Sequence, residues 1–192
     1  MGWKGVGFMK KNRGFCLLNI LISISIVFLI FTISYVCLRN YVERQEINRA
    51  KTEIYELFTT YATKTFHDRR EKTIKLDYLK KEITVFEFNV VPIEKLLLPK
   101  RLNYVTIFDK DPVKIFTGKI TKNGNITPSF SIYIFDYNNI AQYRISLYGF
   151  DIIKYMRINI YKNKGDKTPK YDNILKFHNS WTTDNPKWEE EW

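Results

Sequence analysis

The most prominent hydrophobic feature of the chain is a run of 24 residues without a charge, from Phe15 to Leu38. A helix of this length reaches about 36 Å, which exceeds the roughly 30 Å hydrocarbon thickness of a bilayer. The run is longer than the core of a secretory signal, about 7–15 residues, and no small-residue cleavage site follows it. The pattern therefore predicts a transmembrane helix over 15–38 that stays in the mature protein.

The apolar pattern continues past this run with a helical period. Apolar positions recur at intervals of three and four residues, and no Gly or Pro occurs between Phe15 and Val91. The recurring positions are Val42, Ile47, Ala50, Ile54, Leu57, Phe58, Tyr61, Thr65 and Phe66. This predicts an amphipathic continuation of the helix over 39–66, whose apolar stripe packs on the chain's own domain. A short coiled-coil stalk is the alternative.

Beyond His67 the period changes to two. Alternation is clear in 130–134, 143–147 and 156–160, and earlier candidate strands cover 83–91, 104–108 and 113–122. The pair Asn123-Gly124 after the last of these indicates a two-residue hairpin. Short links between strands favour an antiparallel sheet domain over 67–180. The predicted fold class is α+β, with a long N-terminal helix packed on a C-terminal antiparallel β-sheet.

Charges in front of the apolar run predict its orientation. Lys4, Lys10, Lys11 and Arg13 precede the run without an acidic residue among them. Basic flanks stay on the cytoplasmic side of a membrane. We therefore expect a single-pass protein of the cytoplasmic membrane, with its N-terminus inside, its C-terminal domain outside, and membrane lipids around the span.

The junction between the basic leader and the apolar run has a glycine directly before an aromatic residue, Gly14-Phe15. With Lys10, Lys11 and Arg13 before it, this junction resembles the class III signal of type IV pilins and of the pseudopilins of type II secretion and competence systems. The resemblance implies that residues 1–14 are a cleavable leader. It also implies that prepilin peptidase cuts between Gly14 and Phe15 and N-methylates Phe15, and that the helix assembles with other pilin or pseudopilin subunits. A long helix followed by an antiparallel sheet is likewise the pilin-like order.

Two positions depart from the family pattern. The second residue after the expected cut is Cys16 instead of Ser or Thr, and the fifth is Asn19 instead of Glu. In the family this Glu is thought to neutralise the N-terminal amine of a neighbouring subunit, a charge that needs a partner in lipid. Asn19 can accept a hydrogen bond from an ammonium but supplies no charge. This favours a minor subunit at a filament tip; a tolerated polar residue in a plain membrane anchor is the alternative.

Composition adds a net charge of +11, from 31 Lys and Arg against 20 Asp and Glu. Removal of the leader would take four of these positive charges away, which leaves about +7. The remaining basic residues are spread through strands and links, so they favour a solvated surface over a DNA-contacting face as in competence pilins. The aromatic content of 16% argues against a disordered chain.

The sequence offers no catalytic constellation and no cofactor motif. His67 and His178 have no companions at metal-ligand spacing, so we expect no metal site and no enzymatic activity. Asp109 and Asp111 can be read as part of a calcium site or as a turn between strands. Cys16 and Cys37 are about 31 Å apart on a helix, which is too far for a disulfide within one chain.

The segment 181–192 reverses the local charge, with four acidic residues against one Lys, and contains Trp181, Trp188 and Trp192. Such an aromatic and acidic tail can dock on a basic partner subunit, and a frayed terminus is the alternative. The whole pattern predicts a minor pilin-like subunit of a type IV pilus, competence or type II secretion filament at the cell envelope. The rival interpretation is a single-pass anchored β-domain that binds a partner, a ligand or DNA without polymerising.

Overall fold

The computed structural model describes residues 13–88, 90–149, 156–165, 168–179 and 188–191. The chain divides after Val42 into two units, residues 1–42 and 43–192. The first element is helix α1, Arg13–Asp68, with 56 residues. Its end at Asp68 is followed by Arg69 with a φ of 56°, a left-handed conformation that stops a helix.

Eleven strands, a 3₁₀ turn and a second helix follow α1 in the described part of the chain. In chain order they are β1 Lys72–Asp77, β2 Glu82–Glu87, β3 Val91–Leu97, β4 Asn103–Phe108, β5 Asp111–Val113, β6 Ile115–Ile120, β7 Ile126–Thr127, β8 Phe130–Phe135, β9 Ala141–Tyr148, β10 Arg157–Asn163, the 3₁₀ turn Tyr171–Asn173, α2 Ile174–Asn179 and β11 Trp188–Glu191.

The strands form two antiparallel sheets. Sheet A has the order β3-β2-β1-β6-β7, and sheet B has the order β11-β10-β9-β8-β4-β5. This confirms the predicted fold class, a long N-terminal helix with antiparallel β-structure after it. The division into two sheets is new, because a period of two identifies the buried face of a strand but does not say which sheet the strand joins.

One hydrophobic cluster joins α1 to both sheets. The predicted stripe is buried from Ile47 to Thr65, and Ala50, Ile54, Phe58 and Thr65 are fully inaccessible. Residues of sheet A and sheet B share this cluster with the helix; they include Ile74, Leu76, Ile83, Val85, Phe116, Phe130, Ile132, Ile134 and Ile145. The stripe is therefore the centre of the core of residues 43–192, and the coiled-coil alternative does not apply.

A second cluster covers the opposite face of sheet B. Val105, Ile107, Tyr133 and Phe135 are buried there against Ile174 of α2. Trp188 of β11 packs at its border. Sheet B is thus covered on both faces, by α1 on one side and by α2, with the Trp188 side chain at its border, on the other.

The predicted hairpin at Asn123-Gly124 is present, with a loop one residue longer than expected. Thr121 and Asn125 pair across it, and Lys122, Asn123 and Gly124 form the loop. Gly124 has a φ of 73°, and a Cβ at this position would lie 2.6 Å from the Ala62 carbonyl oxygen. A glycine is needed here for its backbone conformation and for the close approach of the loop to α1.

We predict that truncation of the stripe destabilises the fold. Ile54→Ala removes a fully buried side chain, which costs about 2–5 kcal/mol through lost transfer energy and a cavity. The exposed Thr60 on the same helix provides the control Thr60→Ala, expected within about 0.5 kcal/mol of the parent. Denaturant unfolding of the detergent-solubilised full chain measures both, and equal effects of the two substitutions would contradict this packing.

Candidate functional site

The N-terminal half of α1 presents apolar side chains on all sides. From Leu17 to Leu38 its large apolar residues are about half exposed or more, and Phe28 is 72% exposed. An 18-residue window of the helix has a mean hydropathy of 2.6, and none of it is buried. By length and composition this segment can cross a membrane, and lipid or other apolar helices would supply the contacts it lacks.

Polar groups within this apolar half bind the helix backbone. The hydroxyls of Ser23, Ser25 and Thr32 each donate a 2.8 Å hydrogen bond to the carbonyl oxygen four residues earlier. Hydroxyls that are satisfied in this way cost little in a hydrocarbon environment. These three polar residues are therefore compatible with a membrane span.

The predicted cleavage site lies in the first turn of α1. The helix begins at Arg13, so the backbone of Gly14 and Phe15 is helical. The leader residues Lys10 and Lys11 lie outside the described residues. Asn19 follows Phe15 by four residues, about one helical turn, and its side chain is exposed. The predicted cleavage position and the predicted assembly residue thus lie close together along one helix.

Hydrogen bonds between tyrosines and carboxylates join the second half of α1 to the strands and turns that follow it. The Tyr137 backbone N–H donates to Glu43 at 2.6 Å, and the Tyr137 hydroxyl donates to Glu46 at 2.9 Å. Farther along α1, the Tyr61 hydroxyl donates to Glu94 at 2.7 Å. Sequence reasoning missed these contacts because only the apolar period of the helix was informative. They orient α1 on the domain in addition to its apolar packing.

The C-terminal segment contributes an edge strand of sheet B. β11 pairs with β10 in the register Ile160 with Glu191 and Asn163 with Trp188. Trp188 is half-buried, and its ring packs edge-on against the Tyr133 ring with the two ring centres 6.0 Å apart. Trp181 and Trp192 lie outside the described residues. Trp188 thus packs on its own domain, and contact of the tryptophans with a partner stays a prediction.

Ion pairs hold this strand in place. Glu191 pairs with Lys51 of α1 and accepts a 3.3 Å hydrogen bond from the Tyr143 hydroxyl. Glu189 pairs with Lys164. Burial acts to raise the pKa of Glu191, but Lys51, Tyr143 and Lys162 together outweigh it and hold that pKa below its ordinary value. Acidic residues of the tail therefore form ion pairs with lysines of the same chain.

The two histidines have different surroundings. His67 is exposed near the end of α1, whereas His178 of α2 accepts or donates a 2.8 Å hydrogen bond with the Tyr133 hydroxyl through Nδ1. Burial, and then the charge of Arg144, lower the pKa of His178 to about 4. His178 is therefore neutral near pH 7, and its hydrogen bond with the Tyr133 hydroxyl joins α2 to sheet B.

Asp109 forms part of a tight turn. Asp109 and Lys110 have φ values of 50° and 68° and form the two-residue loop between β4 and β5. Positive φ at both central residues is typical of the type I′ hairpin turn. Across the described part of the chain, no group of three or more His, Cys, Asp or Glu is arranged to hold a metal ion.

No protein-family model and no curated protein matches the chain. Among solved structures, the chain is similar to the minor pseudopilin EpsH from the type 2 secretion system of Vibrio cholerae. The identity is 11% and the TM-score is 0.46, and the match covers 59% of this chain and 95% of the EpsH chain.

We predict that His178 makes stability depend on pH between about 6.5 and 4. In this window the unfolded chain binds a proton at His178 and the folded chain does not, so stability falls as the pH falls. His178→Gln keeps a hydrogen-bond acceptor without this titration, and its thermal midpoint should fall less from pH 7 to pH 5. His67→Gln, at an exposed position, is the control and should follow the parent. Identical profiles for parent and His178→Gln would contradict the prediction.

Proposed function

We propose that this chain is a minor pilin-like subunit, a pseudopilin, of a type IV pilus, competence or type II secretion filament. The observation that carries the proposal is helix α1, which is apolar and exposed from Leu17 to Leu38 and buried as a stripe from Ile47 to Thr65. A plain membrane anchor has no need of a helix that also forms the centre of its domain's core. The proposal rests on this helix and the leader junction, not on the likeness to EpsH.

The start of the helix supplies the second support. A basic leader ends at Gly14, directly before the apolar run that begins with Phe15, and the Gly14–Phe15 bond lies in the first turn of α1. The first backbone N–H groups of a helix have no intrahelical partners, and helix ends fray. A membrane-embedded prepilin peptidase could therefore reach the bond without unfolding the apolar helix. Phe15 would become the new N-terminus and receive the methyl group.

Assembly would then use the exposed half of α1. Its apolar side chains pack against the corresponding helices of other subunits when these leave the bilayer together. Asn19 offers an amide oxygen but no negative charge for the N-terminal amine of a neighbouring subunit. A tip position, where no preceding amine has to be neutralised, fits this residue. The exported domain would then face partners at the end of the filament.

A single-pass anchored domain that does not polymerise is the second candidate. It is favoured by Asn19, since the family's assembly carboxylate is missing at this position. In this case the leader would stay attached, and the exported domain would act as a membrane-bound binding module for a partner protein, a ligand or DNA.

The mass of the membrane-extracted protein separates the two candidates. A pseudopilin loses Met1–Gly14 and gains one methyl group, and intact-mass spectrometry detects both changes. Gly14→Val, with a bulky residue before the scissile bond, should leave the leader attached. Gly7→Val is a matched control. Gly7 also precedes a phenylalanine, but no apolar run follows that phenylalanine directly, so this substitution should not affect removal of the leader. A full-length N-terminus in the parent chain would overturn the proposal.

A second test addresses Asn19. Asn19→Glu restores a carboxylate at the fifth position, so processing should be unchanged while the share of this subunit along the filament increases. Asn40→Glu introduces the same charge beyond the apolar run, and it should change neither the processing nor the share of this subunit along the filament. Immunogold electron microscopy counts the labelled positions per filament. Identical filament number and composition for parent and Asn19→Glu would contradict a tip position.

A further inference from the structure

A polar cavity of about 360 Å³ lies where the turns of both sheets meet the 3₁₀ turn. Its walls come from the β1–β2 turn, the start of β4, the β5–β6 link, the β8–β9 turn and the 3₁₀ turn. The lining residues are Tyr78, Leu79, Lys81, Asn103, Tyr104, Lys114, Asn139, Tyr171 and Asp172. Proposed cleavage, membrane insertion and assembly make no use of it.

Backbone hydrogen bonds fix the segments that form this cavity. The Tyr78 N–H donates to the Lys114 carbonyl oxygen at 2.9 Å, which joins the β5–β6 link to the β1–β2 turn. The Tyr171 N–H donates to the Asn139 carbonyl oxygen, also at 2.9 Å. The rings of Tyr78 and Tyr104 stack with centroids 5.6 Å apart. The cavity is therefore built from fixed elements.

Two lysines converge on the cavity without an acidic partner. The Lys81 ammonium donates to the Leu102 carbonyl oxygen at 2.6 Å and to the Asn103 side-chain oxygen at 3.1 Å, which leaves one of its three hydrogens for a ligand. It lies 5.2 Å from the centre of the Tyr104 ring. Lys114 lies over the Tyr171 ring at 6.0 Å. Within the described ranges neither ammonium forms an ion pair with a carboxylate. Two like charges that face one space repel each other, and an anion between them removes this repulsion.

Other features of the cavity agree with this charge. Burial, and then the charge of Lys114, lower the pKa of Lys81, so the two ammonium groups are close enough to interact. Asn103 donates to the side-chain oxygen of Asn139 at 2.6 Å, which leaves the Asn139 amide nitrogen as a donor toward a ligand. Asp172 is the one acidic residue in the lining, and the cavity remains net positive.

We propose that this cavity binds a small oxyanion, a carboxylate or a phosphate, between the ammonium groups of Lys81 and Lys114 and the side-chain amide of Asn139. The tyrosine rings form its walls and exclude part of the solvent, which strengthens contacts between opposite charges. Two lysines act as point charges and do not require the planar, bidentate geometry that arginine imposes. Carboxylate and phosphate are therefore both suitable ligands. The proposal is independent of filament assembly.

Isothermal titration calorimetry of the full chain in detergent tests this site. Citrate and inorganic phosphate are titrated separately at constant ionic strength, and saturable binding of one anion per chain is expected for at least one of them. The stronger ligand identifies the preferred oxyanion. Lys114→Gln should weaken binding at least about tenfold, because a hydrogen bond to a charged group is lost.

Two further variants locate the site. Asn139→Asp adds a negative charge at nearly constant volume, and aspartate tolerates the φ of 60° found at this position. It should weaken binding as strongly as Lys114→Gln. Lys122→Gln removes an exposed lysine outside the cavity and should leave binding unchanged. Thermal midpoints without anion verify that each variant is folded. Absence of saturable binding to the parent, or equal losses in Lys114→Gln and Lys122→Gln, would overturn the proposal.

Discussion

The burial of one helical stripe determines the structure of the domain. From Ile47 to Thr65, α1 is the only element whose side chains share a cluster with both sheets in the described part of residues 43–192. An antiparallel sheet needs a covering layer, and this helix contributes to that layer for the inner faces of both sheets. Glu43 and Glu46 add hydrogen bonds to Tyr137 at the edge of the contact. The domain thus depends on a segment that is continuous in sequence with the apolar run.

This dependence gives α1 two different environments. Its first half exposes its large apolar side chains and carries hydroxyls that donate hydrogen bonds to its own carbonyls. Its second half cannot leave the domain without exposing the core. The proposed role as a filament subunit follows from this combination, since one helix would serve for anchoring, for packing with other subunits and for holding the exported domain.

Elements with a strong local period could be predicted from the sequence. The helix stripe and strands such as Phe130–Phe135 were identified because apolar residues recur at 3.6 or 2 positions. The edge strand Trp188–Glu191 could not be predicted in this way, because glutamate is uncommon in strands. The lysines that pair with its glutamates, Lys51 and Lys164, are also distant in sequence. The cavity at the β1–β2 turn was missed for a similar reason, since Lys81, Lys114 and Asn139 come together only through tertiary structure. Roles of Gly14, Phe15 and Asn19 stay predictions.

The central claim is that α1 lies in lipid over its first half and in a protein core over its second. Spin labels at Phe28, Ile54 and Thr60 of the full chain in liposomes test it most directly, through their accessibility to oxygen and to a water-soluble nickel complex. We expect high oxygen and low nickel accessibility at Phe28, low accessibility to both at Ile54, and high nickel accessibility at Thr60. Nickel accessibility at Phe28 equal to that at Thr60 would contradict the account.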